Sequence, residues 1–227
     1  MSEQINIGFL VYPNVIQLDV MGAYQVLSFT PNTTIHLIWK TLDPIKSNKG
    51  LIITPTTTFN RCRALDVICV PGGGIGQVEV MQDKLVLDFL QQISDKAQYI
   101  TSVCTGSLIL AKANLLQGYR ATCHWAFREH LAALGVEVIP ERVVIDRNRI
   151  TGAGITSGID FGLTLVSLLW GEDMAKMAQL MMEYNPQPPF DAGTPETAGK
   201  FLVESLTKLG SPLVEAFWNG VRSNNIS

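Results

Sequence analysis

The sequence has few of the residues that would link it to nucleic acid, to a metal or to a disulfide framework. Its 227 residues include four cysteines and three histidines, and 16% of them are charged. The formal net charge is −3 and no run of like charges occurs, so we expect neither nucleic acid nor a membrane surface as a partner. The cysteines form no C-x-x-C pair and no metal-ligand spacing, so we expect free thiols and no bound metal.

Long apolar runs are also missing. The most apolar stretch, residues 155–170, carries Asp160 and several glycine, serine and threonine residues, which argues against a transmembrane helix. The first residues place Glu3 where a signal peptide would need basic side chains, so we expect a cytoplasmic protein. The length suits one domain over residues 1–227, with an irregular C-terminal extension from about residue 185.

Apolar segments of two kinds alternate along the chain. Runs typical of buried strands occur at residues 5–12, 34–41, 64–70 and near 100–103. Helical spacing follows at residues 19–27, 85–93, 107–113, 126–134, 159–170 and 173–184, and a last helix is expected from 195 to 209. Residues 142–146 and 149–151 flank a turn and predict a hairpin. This alternation indicates an open α/β fold, whose ligands bind at the carboxyl ends of the strands.

Cys104 stands where strand spacing changes to helical spacing. Ile100 and Val103 precede it, while Thr105 and Gly106 predict a tight turn into the next helix. A thiol at this turn would face free helical amides, and we expect its pKa to be low and its chemistry nucleophilic. The alternative is a cysteine that is merely packed in the core.

Asp19 follows the first predicted strand and opens a helix. It is either an N-cap carboxylate that satisfies the free amides of that helix, or an acid/base at the same sheet edge as Cys104. The residues alone leave both possibilities open.

A glycine-rich loop at residues 71–76, Pro-Gly-Gly-Gly-Ile-Gly, comes directly after the strand at 64–70. It lacks the Gly-Lys-Ser/Thr of a phosphate-binding loop and the spacing of a dinucleotide fingerprint. We therefore favour an oxyanion-type role for its amides, with a plain tight turn as the alternative.

The histidines offer no clear partner for Cys104. His36 lies inside a predicted strand and is interpreted as structural, and His130 falls in an amphipathic helix and is expected at the surface. His124 is interpreted as a structural hydrogen-bonding residue, with lining of the site as the other possibility.

Several motifs together resemble the DJ-1/PfpI superfamily, and more closely its isocyanide hydratase branch. The similar segments cover nearly the whole chain: Leu18 with Asp19, and residues 66–73, 102–107, 120–125 and 154–160. The resemblance implies a flavodoxin-like, class I glutamine amidotransferase-like three-layer sandwich with a mostly parallel sheet and a nucleophile elbow. It also implies a homodimer. The methionine spacing of the helix at 173–184 is typical of either core packing or a subunit contact.

The resemblance also implies an activity and its residues. Isocyanide hydratases add water to the isocyanide carbon and release an N-substituted formamide, through a thioimidate and without a cofactor. Carried over residue by residue, Cys104 is the nucleophile, Asp19 the acid/base, and Thr105 the neighbour that helps to hold the site. Backbone and pocket positions come from two segments: Gly73 and Gly74, and Gly154, Ile155 and Thr156.

Two departures from other branches narrow the choice. Protease-like and amidotransferase-like relatives carry a histidine directly after, or far downstream of, the cysteine; here Thr105 follows Cys104 and no distant histidine exists. Regulators of the AraC type share part of the motifs but continue into a helix-turn-helix domain. A redox-sensing stress protein, with Cys104 oxidised to a sulfinate, and a ligand-binding regulator without turnover remain as alternatives. Glyoxalase-like or amidase chemistry is disfavoured because it usually needs a glutamate or histidine partner.

Overall fold

The structure, a computed structural model, describes residues 4–223 as helices packed on both faces of a central sheet. The strands are β1 (Ile5–Leu10), β2 (Thr33–Trp39), β3 (Ile45–Lys46), β4 (Ile52–Ile53), β5 (Thr57–Thr58), β6 (Val67–Val70), β7 (Tyr99–Val103), β8 (Arg120–Ala121), β9 (Glu137–Val138), β10 (Val143–Asp146) and β11 (Arg149–Gly152). The helices are α1 (Gln17–Leu27), α2 (Gly76–Val80), α3 (Lys84–Ser94), α4 (Gly106–Lys112), α5 (Arg128–Ala133), α6 (Ser157–Trp170), α7 (Glu172–Met181), α8 (Pro195–Ala198) and α9 (Lys200–Arg222).

The central sheet has seven strands in the order β10-β11-β7-β6-β1-β2-β5. All neighbouring pairs are parallel except β10 with β11, which form the antiparallel hairpin predicted from the sequence. The β6 strand is buried along its whole length, which explains its continuous apolar sequence. Short pairs β3-β4 and β8-β9 lie outside this sheet.

Two groups of helices form the outer layers of the sandwich. On one side α6 packs against both α1 and α7, and on the other α4 packs against α3 and α5 while α9 packs against α2 and α5. The flavodoxin-like three-layer architecture expected from the sequence is therefore present. Within residues 4–223, no helix combines the length and the apolar content that crossing a membrane requires.

The C-terminal segment differs from its prediction. It is irregular only as far as Thr194, and after a break at Gly199, where φ is +80°, α9 runs on past Leu209 and through Pro212 to Arg222. Phe217 on this helix is fully buried. The sequence pattern predicts too short a helix because only a narrow stripe of the second half of α9 packs against the core.

The topology brings four loops to one edge of the sheet. Strands β1, β6, β7 and β11 are adjacent and parallel, so the segments after Leu10, Val70, Val103 and Gly152 start from the same side. An isolated bridge between Val15 and Gly73 joins the first two of these segments. The candidate residues Asp19, Gly73 and Cys104 all lie in these segments or just beyond them.

Candidate active site

Cys104 occupies a strained turn between β7 and α4. Its φ is +61°, a left-handed conformation that residues other than glycine seldom adopt. The turn is held because the Cys104 N–H donates to the carbonyls of Gly152 at 3.0 Å and Ala153 at 2.9 Å. Gly106 is required on the other side, since a Cβ there would lie 2.0 Å from the Val70 carbonyl oxygen. The predicted strand-to-helix turn is confirmed.

The electrostatic environment of the thiol corrects a prediction. Cys104 is 2% exposed, and burial raises its pKa well above the ordinary value, with further increases from the charges of Asp19 and Cys123. Hydrogen bonds from the backbone amides of Thr105 and Ile155 oppose the rise and do not cancel it. The low thiol pKa expected from the helix terminus is therefore wrong, because desolvation outweighs the amides.

Asp19 lies in the first turn of α1 and is 1% exposed. Its carboxylate does not cap its own helix: the N-cap residue is Ile16, and Asp19 Oδ2 accepts a hydrogen bond from the Gly72 N–H at 3.0 Å. The Cys104 side chain interacts with the same carboxyl and lowers its pKa, while Oδ1 is buried without a hydrogen-bond partner among residues 4–223. The N-cap alternative is therefore wrong, and Asp19 faces the thiol.

The pKa of Asp19 is raised from 3.8 to about 7. Burial is the main cause, while the hydrogen bonds from Gly72 and Cys104 lower the pKa. Since both members of the Asp19–Cys104 pair resist ionisation, the pair gives up its first proton near neutral pH and holds the second much more tightly.

The glycine loop is placed as predicted but its amides are already engaged. Gly72 donates to Asp19, Gly73 donates to Gln77 Oε1 at 2.7 Å, and Gly74 donates to the Asn14 carbonyl at 2.9 Å. The oxyanion-type role expected for Gly73 and Gly74 is not supported, because these N–H groups fix the loop instead of facing open space.

Gln77 is the site residue that sequence reasoning missed. Its fully buried side chain donates from Nε2 to the Thr105 carbonyl at 2.7 Å, and Oε1 accepts from Thr105 Oγ1 at 2.6 Å as well as from Gly73. Gln77 thus joins the glycine loop to the cysteine turn. A glutamine one residue after a glycine-rich loop was the available signal, although spacing alone does not show that it points inward.

The segment after β11 forms the other wall of the site. Ile155 supplies the amide that reaches Cys104, and a Cβ on Gly154 would lie 2.5 Å from His124 Cδ2, so the imidazole packs directly on that backbone. Thr156 is exposed, and its hydroxyl accepts a hydrogen bond from Arg142 at 3.3 Å. Gly154, Ile155 and Thr156 all line a cavity of about 430 Å³ next to the cysteine turn.

The three histidines take different positions. His124 lines this cavity, and burial lowers its pKa to about 4, which keeps the ring neutral. His130 is 2% exposed and stacks on Trp218 at 4.0 Å, so its predicted surface position is wrong; the C-terminal helix covers that face of α5. His36 contacts Asn6 at 3.3 Å, far from Cys104 in the sheet, as a structural residue would.

The remaining cysteines are free thiols. Cys69 is buried in β6 beside Thr101 Oγ1 at 3.2 Å, and Cys62 is half-buried in a loop. Cys123 is fully buried and lies close enough to Cys104 to raise the pKa of Cys104. No group of three or more potential metal-ligating side chains occurs within residues 4–223.

A mostly parallel three-layer sandwich with a buried cysteine on a strained strand-to-helix turn and a carboxyl facing it defines a class of flavodoxin-like proteins with a candidate thiol centre. Comparison with known proteins narrows this class. The DJ-1/PfpI family model matches residues 6–168, and the chain belongs to this family.

Within the family the relatives point to one branch. Isonitrile hydratase from Pseudomonas putida is 51% identical over 209 residues, which cover 92% of this chain and 91% of the relative. A ThiJ/PfpI family protein from Pseudomonas syringae has a solved structure that superposes with a TM-score of 0.94 at 42% identity, covering 97% of this chain and 91% of that one. The transcriptional regulator GbdR of Pseudomonas aeruginosa is 31% identical over 79% of this chain but only 50% of its own length.

Proposed function

We propose that this protein is an isocyanide hydratase that converts isocyanides into N-substituted formamides. One observation carries the proposal: a buried cysteine–carboxyl pair in a chain that is half identical to an isonitrile hydratase. The divalent isocyanide carbon accepts a soft nucleophile and a proton on the same atom, which is the combination that Cys104 and Asp19 provide.

The first step forms a bond between Cys104 Sγ and the terminal carbon of R–N≡C. Because burial opposes a free thiolate, the thiol proton leaves as sulfur attacks, and Asp19 accepts it before donating it to the same carbon. The product is a thioimidate, R–N=CH–S–Cys104, which contains all the atoms of the thiol and the isocyanide.

In the second step the oxygen of a water molecule attacks the thioimidate carbon, and one of the two protons of that water moves to the nitrogen. The tetrahedral species R–NH–CH(OH)–S–Cys104 then collapses: the C–S bond breaks, the hydroxyl proton returns through Asp19 to sulfur, and R–NH–CHO leaves. One water molecule is consumed, the reaction involves no net oxidation or reduction, and the enzyme regains its starting protonation state.

Several groups support these steps without reacting. The amides of Thr105 and Ile155 stabilise the negative charge that develops on sulfur. Gly72 orients the Asp19 carboxyl through its N–H, and Gln77 fixes Thr105 and the glycine loop. The segment at Gly154 and Thr156 forms the wall beside which the R group lies.

The protein works as a homodimer in this proposal. Three apolar side chains on α7 are largely exposed in the single chain, with Met177, Leu180 and Met181 at 56%, 81% and 71%. A patch of this kind favours a subunit contact. Light scattering after size-exclusion chromatography should give twice the mass of one chain, and Leu180→Glu should shift the mass towards the monomer.

We also propose a cytoplasmic location, because four free thiols fit a reducing compartment. Cell fractionation with an antibody against the protein should recover it with cytoplasmic markers.

The activity is tested by measuring formamide production from a panel of alkyl and aryl isocyanides. Wild type should give product, Cys104→Ala should give none, and Cys69→Ala, which removes another buried thiol outside the site, should retain turnover. Absence of Cys104-dependent product would overturn the proposal. Rapid oxidation of Cys104 by peroxide in such an inactive protein would favour a redox sensor instead.

A further inference from the structure

The cavity beside the cysteine turn is lined by a cation that forms no ion pair within residues 4–223. Arg128, the first residue of α5, lines the cavity, and its Nε–H is buried without a hydrogen-bond acceptor among residues 4–223. None of the ion pairs within that part of the chain includes it. A buried donor left unsatisfied costs about 1–3 kcal/mol, so nothing within this part of the chain holds the guanidinium by that atom. The Arg128 side chain as a whole is only half-buried, so part of it is open to a ligand in the cavity.

The other charged groups at the cavity are already engaged or exposed. Arg142 pairs with Asp160 at 2.6 Å, and the Glu196 carboxylate accepts hydrogen bonds from its own N–H and from Thr194. The charge of Arg128 also lowers the pKa of Glu196, although the two side chains form no ion pair. Glu141 is exposed. Of the two arginines that line the cavity, Arg142 is paired, and Arg128 is attracted to Glu196 only at longer range, so Arg128 can still bind an incoming anion.

The cavity also adjoins the reacting thiol. Ile155 lines it while its amide reaches Cys104, and the Ala153 carbonyl, at the same wall, accepts the Cys104 N–H. The charge of Arg128 lowers the pKa of both His124 and Cys123, which places the guanidinium within electrostatic range of the site. A volume of about 430 Å³ holds a small organic molecule.

Part of the cavity lining is apolar. Trp125, Pro140 and Ile155 offer their side chains to the cavity, and the neutral His124 ring completes this surface. A ligand that fits the whole cavity has a short carbon body with an anionic or strongly accepting end.

We propose that the cavity selects isocyanides whose R group carries a carboxylate, with Arg128 binding that carboxylate and the apolar wall receiving the carbon body. The proposal rests on the hydratase function and adds its substrate class. Guanidinium suits a carboxylate because its N–H donors can bind both oxygens in one plane.

The test compares the isocyanoacetate and 3-isocyanopropanoate anions with their methyl esters, as kcat/KM ratios of acid to ester. Wild type should prefer at least one acid, and Arg128→Gln should lower that ratio at least tenfold. Arg63→Gln, which removes a charge from an exposed loop position between β5 and β6, should leave the ratio unchanged. Equal ratios in wild type and Arg128→Gln, or hydration of cyclohexyl isocyanide and the esters but of neither acid, would overturn the proposal.

A binding measurement separates this proposal from the hydratase function. N-formylglycine, the product expected from isocyanoacetate, should bind Cys104→Ala by calorimetry, and the added Arg128→Gln change should weaken binding at least tenfold. If binding behaves so and no isocyanide is hydrated, the carboxylate site stands and the hydratase function fails. If Arg128→Gln leaves binding unchanged, or no binding occurs, the carboxylate site fails.

Discussion

Gln77 and Thr105 are joined by two hydrogen bonds, one from Thr105 Oγ1 to Gln77 Oε1 at 2.6 Å and one from Gln77 Nε2 to the Thr105 carbonyl at 2.7 Å. Gln77→Ala would leave these groups unsatisfied in a fully buried environment. We expect a loss of about 2–4 kcal/mol in the free energy of unfolding. We also expect kcat to fall at least about tenfold with little change in KM, because the turn that holds Cys104 loses its support.

Urea denaturation and steady-state kinetics measure both effects. Gln82→Ala is the matched control, since Gln82 is exposed just after the same helix and should change neither quantity. A stable Gln77→Ala variant with wild-type kcat would show that the glutamine is not a positioning residue.

The pH dependence of activity follows from the Asp19–Cys104 pair. The reactive form has one proton shared between the two groups, and it appears as the pair loses its first proton at a pKa of about 7. We therefore expect kcat/KM to fall about tenfold for each pH unit below 7 and to level off above it.

Asp19→Asn tests this assignment. The amide keeps a hydrogen-bonding group near the thiol but accepts no proton, so kcat/KM should fall by about 100-fold or more. The remaining activity should rise towards high pH, where the isolated thiol with its raised pKa ionises. Wild-type turnover, or an unchanged pH profile, in this variant would contradict the role of Asp19.

Asp19 also makes stability depend on pH. Its pKa is raised from 3.8 to about 7 on folding, so between these values the folded state holds a proton that the unfolded state has released. Burial of the carboxyl therefore does not lower the free energy of unfolding below pH 3.8. As pH rises, it lowers the free energy of unfolding progressively, by about 4 kcal/mol above pH 7.

Urea denaturation of wild type and Asp19→Asn at pH 5 and pH 8 checks the sign. Because asparagine does not ionise, the variant should become more stable relative to wild type as pH rises. Most of this change should occur between pH 5 and pH 8. A stability difference that is equal at both pH values would mean that Asp19 ionises normally in the folded protein.

Much of the fold was predictable because each strand and helix carries its own periodicity. The β6 strand is a continuous apolar run, and α3 has an apolar stripe, so both were placed within a few residues. The end of α9 was not predicted, because Gly210 and Pro212 interrupt the helical pattern. In the structure the helix continues because Phe217 packs against Phe127, with 4.7 Å between the ring centres. That contact depends on two distant segments and is invisible in either alone.

The site shows the same limit. Cys104 and Asp19 were identifiable because both stand where a strand gives way to a helix. The raised pKa of Cys104 and the inward direction of the Gln77 side chain could not be predicted. The first depends on desolvation and the second on a hydrogen-bond network, and both arise only when four loops meet in the folded protein. His130 was misplaced for a related reason, as α9 covers an otherwise exposed helix face.

Gly72 is the loop position where any side chain would enter the site. A Cβ there would lie 2.6 Å from Thr105 Oγ1 and 2.8 Å from Asp19 Oδ2, closer than real Cβ contacts allow. Gly72→Ala should therefore displace the carboxyl and lower kcat/KM by about 100-fold. Gly74→Ala is the control, because its Cβ would meet no atom closer than 3.7 Å. Equal activities in the two variants would show that the Asp19 position tolerates displacement.

Phe217 tests whether α9 is an integral part of the domain. Its ring is fully buried against Phe127, so Phe217→Ala should cost about 3–5 kcal/mol in the free energy of unfolding. Phe201 lies on the same helix but is 78% exposed, and Phe201→Ala should change stability by no more than about 0.5 kcal/mol. If α9 were a loosely attached extension, the two substitutions would have similarly small effects in urea denaturation. A large difference between them, within a single cooperative transition, is the outcome expected when the helix that covers His130 folds together with the sheet.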